Sequence, residues 1–121
     1  MKQKSTEEEN KNNYQSKNRM NRAWSIFFRI LRLLHRYNKT GKQMPNIESI
    51  ILKLHEKGQI FSPVKRMSGQ VERWTFTVSN DIKIETILRF KEARLKSSKV
   101  TIKRDDEINS FEFKRMPQKS I

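Results

Sequence analysis

The sequence predicts a small α+β domain. Three observations predict this class: a strongly helical apolar pattern over residues 18–37, alternating segments that surround turn residues at 59–78 and 98–115, and a content of only 3 glycines and 3 prolines. A chain of 121 residues is of ordinary single-domain length. We expect the order helix, helix, hairpin, helix, hairpin.

The two ends of the chain have a different composition from its middle. Residues 1–17 contain one aromatic side chain and, after Met1, no aliphatic one, so they bury too little apolar surface to offset the entropy of ordering. We therefore predict a disordered polar tail over 1–17, a basic folded domain over 18–116 and a loose C-terminal tail over 117–121.

The first helix is predicted over 18–37, and its polar residues fall on one arc. At 100° per residue, that arc collects Asn18, Arg22, Ser25, Arg29, Arg32 and Arg36. The remaining apolar surface spans roughly 220°, against the stripe of about 100° or somewhat more that a surface helix needs. We expect this excess to face a protein partner or a second copy of the chain, through Trp24, Phe27, Phe28 and Leu31.

A second helix and a hairpin are predicted next. Asn46 can cap a helix over 46–57 that places Ile47, Ile50, Ile51 and Leu54 on one face, and Gly58 can stop it. Ser68-Gly69 then reads as the turn of a hairpin over 59–78. With Met67 opposite Gln70, the pairs would be Phe61 with Phe76, Pro63 with Trp74, and Lys65 with Glu72.

A third helix and a second hairpin complete the prediction. Ser79-Asn80-Asp81 can cap a helix over 81–96 with Ile84, Ile87, Leu88 and Leu95 inward, and Asp105-Asp106 can form the turn of a hairpin over 98–115. The first part resembles a winged-helix module, with a basic hairpin as its wing. It has two rather than three helices before that wing, so a separate recognition helix is missing.

The charge balance indicates a polyanionic partner. There are 27 Lys+Arg against 13 Asp+Glu, a formal net charge of +14. Such a domain is typical of nucleic-acid binding and, less often, of anionic membrane surfaces. The longest apolar stretch, from Ala23 to Leu34, is broken by Arg29 and Arg32 and is too short to span a bilayer. We expect no membrane association.

Cysteine is absent, which excludes disulfides, thiolate zinc sites and cysteine nucleophiles. The N-terminal segment lacks the apolar run of a secretory signal. We expect an intracellular protein, nuclear in a eukaryote and cytoplasmic or nucleoid-associated in a prokaryote or phage.

The candidate nucleic-acid-binding residues are the helix arginines and the basic residues of the turn and hairpin that follow. Arginine binds phosphate bidentately, and no acidic residue lies between Lys11 and Glu48 to neutralise the helix. Trp24 and Trp74 are expected in the core rather than stacked on bases. The predicted contacts are Arg22, Arg29, Arg32, Arg36, Lys39, Lys42, Lys65, Arg66 and Arg73.

One pattern points to catalysis. Asp105-Asp106 followed by Glu112-Phe113-Lys114 resembles the metal-binding motif of the PD-(D/E)xK nucleases, in which carboxylates hold a divalent ion and the lysine assists a water. The sequence lacks the preceding proline of that motif, and the resemblance covers about ten residues. His35 and His55 have no partner signature, so we expect no metal, no cofactor and no catalytic residue.

The sequence therefore predicts a non-catalytic DNA-binding protein that makes mainly phosphate contacts. We expect it to be an accessory subunit of a larger replication, modification or regulatory complex. An RNA-binding or ribonucleoprotein component is the alternative, and a small metal-dependent nuclease is a lower one.

Overall fold

A computed structural model gives the backbone of residues 2–40, 46–92 and 94–114, and side chains are described for 20–39, 46–92 and 94–114. Two helices and five strands follow one another along the chain. They are α1 Lys2–Thr40, α2 Ile47–Glu56, β1 Phe61–Ser68, β2 Val71–Ser79, β3 Ile82–Lys91, β4 Arg94–Arg104 and β5 Glu107–Lys114. The strands form one antiparallel sheet in the order β1-β2-β3-β4-β5. The predicted α+β class is confirmed.

Helix α1 begins earlier than predicted. It starts at Lys2 rather than Asn18, so residues 2–17, which were predicted to be a disordered tail, form the first turns of the helix. That residues 1–17 are a disordered tail outside the folded domain stays a prediction. The C-terminal tail predicted over 117–121 lies outside the described residues.

The core lies between the helices and one face of the sheet. From α1, the apolar residues Ala23, Ile26, Phe27, Ile30, Leu34 and Tyr37 are buried. They form one cluster with Ile47, Ile51 and Leu54 of α2 and with the inward residues of β2, β3 and β4. A side chain removed from water in such a cluster contributes about 1.5–3 kcal/mol. Most of the wide apolar arc of α1 is thus buried against the rest of the chain.

The second helix follows the prediction closely. The Asn46 side chain accepts a hydrogen bond of 3.0 Å from the Ser49 backbone N–H, which caps the first turn. After the helix, Gly58 adopts φ +71 and its N–H donates to the His55 carbonyl at 3.0 Å. The cap and the stop predicted for this helix are both present.

The predicted third helix over 81–96 is wrong, because Ile82–Lys91 form β3 and β4 begins at Arg94. The inward residues Ile82, Ile84, Thr86 and Leu88 recur every second position, which is the period of a strand. The residues expected to cap a helix form a turn between β2 and β3 instead. There the Ser79 hydroxyl donates to the Asp81 carboxylate at 2.6 Å, a local bond that competes with helix formation.

The predicted first hairpin exists, but its register is wrong. Ser68 pairs with Val71 and Met67 with Glu72, so the turn residues are Gly69 and Gln70 rather than Ser68 and Gly69. Gly69 adopts φ +61, a conformation that glycine tolerates best, and this fixes the turn one residue later.

The expected partners of β1 shift accordingly. The pairs Phe61 with Phe76, Pro63 with Trp74 and Lys65 with Glu72 are replaced by Phe61 with Thr77 and Lys65 with Trp74. The second hairpin does turn at Asp105-Asp106, between the pair Arg104 and Glu107. Because β1 and β2 form one end of a continuous five-stranded sheet, they are not a wing set beside a helical body.

Candidate nucleic-acid interface

One face of the sheet is turned away from both helices. Along β2, β3 and β4, inward residues are buried and the residues between them are mostly exposed or half-buried. Side chains at alternate positions point to opposite faces, and directly paired residues share a face. These rules define the outward side of the sheet, which we call the open face.

The open face is strongly basic. Its charged residues are nine cations and two carboxylates, and the cations are exposed. The cations are Arg66, Arg73, Lys83, Arg89, Lys91, Arg94, Lys99, Lys103 and Lys114, and the carboxylates are Glu85 and Glu112.

Three pairs of these cations lie directly opposite each other. Arg66 on β1 pairs with Arg73 on β2, and on β3 and β4 Lys83 pairs with Lys103 and Lys91 with Arg94. Directly opposed side chains of an antiparallel pair have Cβ atoms about 4.5–5.5 Å apart, and like charges at that position are destabilising. The sheet therefore retains three unfavourable contacts on one surface.

The two carboxylates offset this charge only in part. The Arg73 Nε lies 4.0 Å from Glu85 Oε2, and both side chains are substantially exposed. An exposed pair of this kind contributes little, with measured values of about 0–1 kcal/mol. Glu112 lies directly opposite Lys99 and is the favourable cross-strand pair of this face.

The cations fall into two groups, Lys83 with Lys103 in one and the remaining cations in the other, separated by a row in which three of five residues carry a hydroxyl. Lys83 and Ile87 are four residues apart on β3, and so are Lys103 and Lys99 on β4, which places the two groups about 13 Å apart at 3.2–3.4 Å per residue. The row between the groups is Val64, Thr75, Glu85, Thr101 and Ser110. Hydroxyl groups donate hydrogen bonds to phosphate oxygens as readily as to water.

Ile87 lies at the centre of the open face. It is only 9 % exposed, yet it does not belong to the main core cluster. Its neighbours in register are Arg73 on one side and Lys99 on the other. Long basic side chains cover apolar surface with their aliphatic stems while the charged ends stay in water. The register thus places the stems of Arg73 and Lys99 where they can cover Ile87.

The structure divides the residues predicted to contact nucleic acid between two sides of the molecule. Arg66 and Arg73 belong to the open face, whereas the exposed basic residues of α1 lie on the opposite, helix side of the sheet. Those α1 residues are Arg29, Arg32, Arg36 and Lys39. Lys42 lies outside the described residues.

Arg22 and Lys65 are predicted contacts that bind groups of the protein itself on the helix side of the sheet. The Arg22 guanidinium donates a hydrogen bond of 3.0 Å to the Val78 carbonyl, which ties α1 to the end of β2. Lys65 Nζ lies 3.2 Å from Glu72 Oε1 and 5.7 Å from the centre of the Trp74 ring, on the helix side of the sheet. Trp74 itself is buried in the core, as expected.

The aromatic residues predicted to contact a protein partner are only partly available. Phe27 is buried in the core, while Trp24 and Leu31 are half-buried and Phe28 is 52 % exposed. The Trp24 and Phe28 rings stack with centroids 5.6 Å apart, and Phe27 meets both rings edge-on.

The acidic residues of the nuclease-like pattern are not brought together. Asp105 and Asp106 form the tip of the second hairpin, whereas Glu112 and Lys114 lie on the open face farther along β5. The five residue steps from Glu107 to Glu112 cover about 17 Å along the strand, so the aspartates of the tip lie far from Glu112. Within the described part of the chain, no group of three His, Asp or Glu side chains is arranged to hold a metal ion.

Seven cations of the open face were not predicted from the sequence: Lys83, Arg89, Lys91, Arg94, Lys99, Lys103 and Lys114. The first four were assigned to a helix, which hid their place on a sheet. The alternation of Ile82, Ile84, Val100 and Ile102 with lysine and other polar residues is the signal that identifies this face.

Comparisons of the chain with known protein families, with curated proteins and with solved structures found no significant match. Among the described residues, no helix is long and apolar enough to cross a membrane.

Proposed function

We propose that the protein binds nucleic acid, with DNA favoured over RNA, by laying the open face of its sheet against the sugar-phosphate backbone. The observation that carries this proposal is the set of three like-charge contacts, Arg66 with Arg73, Lys83 with Lys103 and Lys91 with Arg94, on one exposed surface. A bound polyphosphate offsets these repulsive contacts, because each cation then has an anion to approach.

The arrangement suits duplex DNA. The two groups of cations are about 13 Å apart, which is comparable with the ~12 Å width of the major groove of B-DNA. One group can therefore contact one backbone while the other contacts the backbone across the groove. The row of residues between the two groups, which includes Thr75, Thr101 and Ser110, lies over the space between the two DNA strands.

Recognition of this kind reads the backbone rather than the bases. Apart from Phe61, which pairs with Thr77 at one corner, the described positions of the open face carry no aromatic ring. Stacking on aromatic side chains is the usual means of holding single-stranded bases. The open face therefore favours a duplex and little dependence on sequence.

The proposal contains no catalytic step. Phosphate contacts position a protein on DNA without specifying bases, and a protein of this kind serves as an accessory subunit whose partner supplies sequence recognition or chemistry. The arginines of α1 form a second basic surface, which the same experiment evaluates.

The test is fluorescence anisotropy with three labelled probes: a 20-base-pair DNA duplex, its single strand and an RNA hairpin. A triple variant, Arg73→Gln, Lys83→Gln and Lys103→Gln, removes charge from the open face. Its matched control, Arg29→Gln, Arg32→Gln and Arg36→Gln, removes the same charge from α1. We expect the open-face variant to weaken duplex binding at least tenfold more than the control, and equally across duplex sequences.

Equal losses in the two variants would contradict the role of the open face, because net charge alone would then set the affinity. Tighter binding of the RNA hairpin than of the duplex would replace DNA with RNA as the ligand. Absence of binding to all three probes at low salt would overturn the proposal.

A further inference from the structure

An apolar groove runs along the side of α1 opposite the arginine that contacts β2. It has a volume of about 320 Å³ and is lined by Phe28, Leu31, Arg32, His35, Phe111 and Phe113. The Phe111 and Phe113 rings lie 4.9 Å apart, and His35 lies 5.6 Å from Phe113. Phe28 and Phe111 are each about half exposed, at 52 % and 48 %. The groove therefore has aromatic walls that the described core leaves uncovered.

The groove lies beside a free edge of the sheet. β5 pairs with β4 on one side, and no described strand pairs with its other side. The other edge strand, β1, is protected by Pro63 and by an irregularity at Ser62, where φ is 53. Along β5 the register is continuous and proline is absent. A regular edge with unpaired backbone groups is a template for an added strand.

The rim of the groove is basic. Arg32 lines the groove, and Lys39, seven residues further along α1, is exposed on the same side of the helix. Arg29 and Arg36 follow Arg22 at seven-residue spacing and lie toward the other side. No acidic residue occurs on α1 from Met20 to Lys39. A second copy of this chain would add its own net charge of +14 and its own arginines to this rim. Charge complementarity thus favours an acidic partner over self-association.

We propose that an extended segment of another protein, in which apolar residues alternate with acidic ones, pairs with the free edge of β5 and places its apolar side chains in the groove. Strand addition supplies affinity through main-chain hydrogen bonds and specificity through pockets for alternate side chains. The acidic side chains lie near Arg32 and Lys39 of α1. This surface is separate from the open face, so the inference does not depend on nucleic-acid binding.

The test uses a fluorescein-labelled nine-residue peptide in which Val and Ile alternate with Glu, with binding to the full-length protein measured by anisotropy. One control peptide has Lys in place of Glu. A second is N-methylated at alternate backbone nitrogens, which removes the donors of an added strand. We expect the acidic peptide to bind at least tenfold more tightly than either control. Hydrogen exchange of the β5 amides should slow when it binds.

Variants locate the site. Phe28→Ala and Phe111→Ala should each weaken peptide binding several-fold, whereas Phe61→Ala, which changes a similarly exposed ring on the opposite edge of the sheet, should not. The open-face triple variant should bind the peptide as the wild type does, apart from a general loss of attraction at low salt. Circular dichroism confirms that each variant is folded.

Three results would overturn the inference even if the acidic peptide binds. They are equal binding of the N-methylated peptide, a loss in Phe61→Ala as large as in Phe111→Ala, and a stable dimer of the free chain that Phe111→Ala dissociates. The last result would assign the groove to a second copy. Failure of peptide binding with nucleic-acid binding intact would remove this inference alone.

Discussion

Lys83 and Lys103 lie directly opposite each other on β3 and β4, and both side chains are exposed on the open face. A sheet selected for stability alone would place opposite charges or β-branched residues at such a position. The repulsion is a local cost in stability, and a polyanionic ligand relieves it. This relationship links the fold to the proposed function and leads to the first prediction.

Removal of one charge from this pair should stabilise the free protein. We expect Lys103→Thr to raise the free energy of unfolding by about 0.5 kcal/mol relative to Lys99→Thr, because Lys99 lies opposite Glu112 and loses an attractive contact. Both changes are on the same strand and face, so intrinsic strand propensity cancels. Urea denaturation at low ionic strength measures the difference, and added salt should shrink it. Equal stabilities at low salt would show that the opposed lysines do not repel.

The interior of the sheet contains a hydroxyl whose removal should also stabilise the protein. Thr86 is fully buried, and within the described residues its Oγ1 has no hydrogen-bond partner. Thr86→Val keeps the shape and removes the unpaired group, so we expect the free energy of unfolding to rise by about 1 kcal/mol.

Thr77→Val is the control for this change. The Thr77 hydroxyl donates to the Phe61 carbonyl at 3.2 Å and helps to hold β1 against β2. We expect its loss to reduce stability by about 1 kcal/mol, the usual contribution of a hydrogen bond. Thermal and urea unfolding should give opposite signs for the two valine variants. Destabilisation by Thr86→Val would mean that its hydroxyl is paired in solution.

The first hairpin turn should depend on the backbone of one glycine. Gly69 adopts φ +61, and an added Cβ there would meet nothing within 4 Å. The cost of Gly69→Ala is therefore conformational, about 1 kcal/mol, and Gly69→Asn should cost less because asparagine enters this region more readily. Urea unfolding of both variants checks the order. A greater loss for asparagine would contradict the turn geometry.

Helices α1 and α2 were predictable from the sequence because their signals are local. The spacing of Ile47, Ile51 and Leu54, the capping side chain of Asn46 and the glycine after the helix each act within a few residues. The start of α1 was not predictable, since residues 2–17 carry no apolar pattern that distinguishes a helix from a tail.

The third strand was missed because its sequence fits two periods. Ile84 and Leu88 are four residues apart, which suits a helical face and a strand face equally well, and Ile87 completes a helical pattern. Antiparallel pairing with β2 and β4 decided the outcome, and such pairing depends on residues distant in the chain. Ile87 is buried on the open face rather than in the main core, so its apolar character misled the prediction.

The candidate site was predicted only in part for the same reason. Arg66 and Arg73 were identified because both lie in one local hairpin. Lys83 joins Lys99 and Lys103 only when β3 and β4 pair, and Arg73 joins them only when β2 pairs as well. The position of Arg22 against the Val78 carbonyl depends on how α1 packs on β2 and could not be read from the charge pattern of the helix.

The salt dependence of duplex DNA binding tests the central claim most directly. Each phosphate neutralised contributes about −0.9 to the slope of log affinity against log salt. We predict that the variant with Arg73, Lys83 and Lys103 all changed to Gln has a slope shallower than the wild type by about 2–3, while the α1 control keeps a slope near the wild-type value. An unchanged slope in the open-face variant, with flattening in the α1 control, would contradict the account.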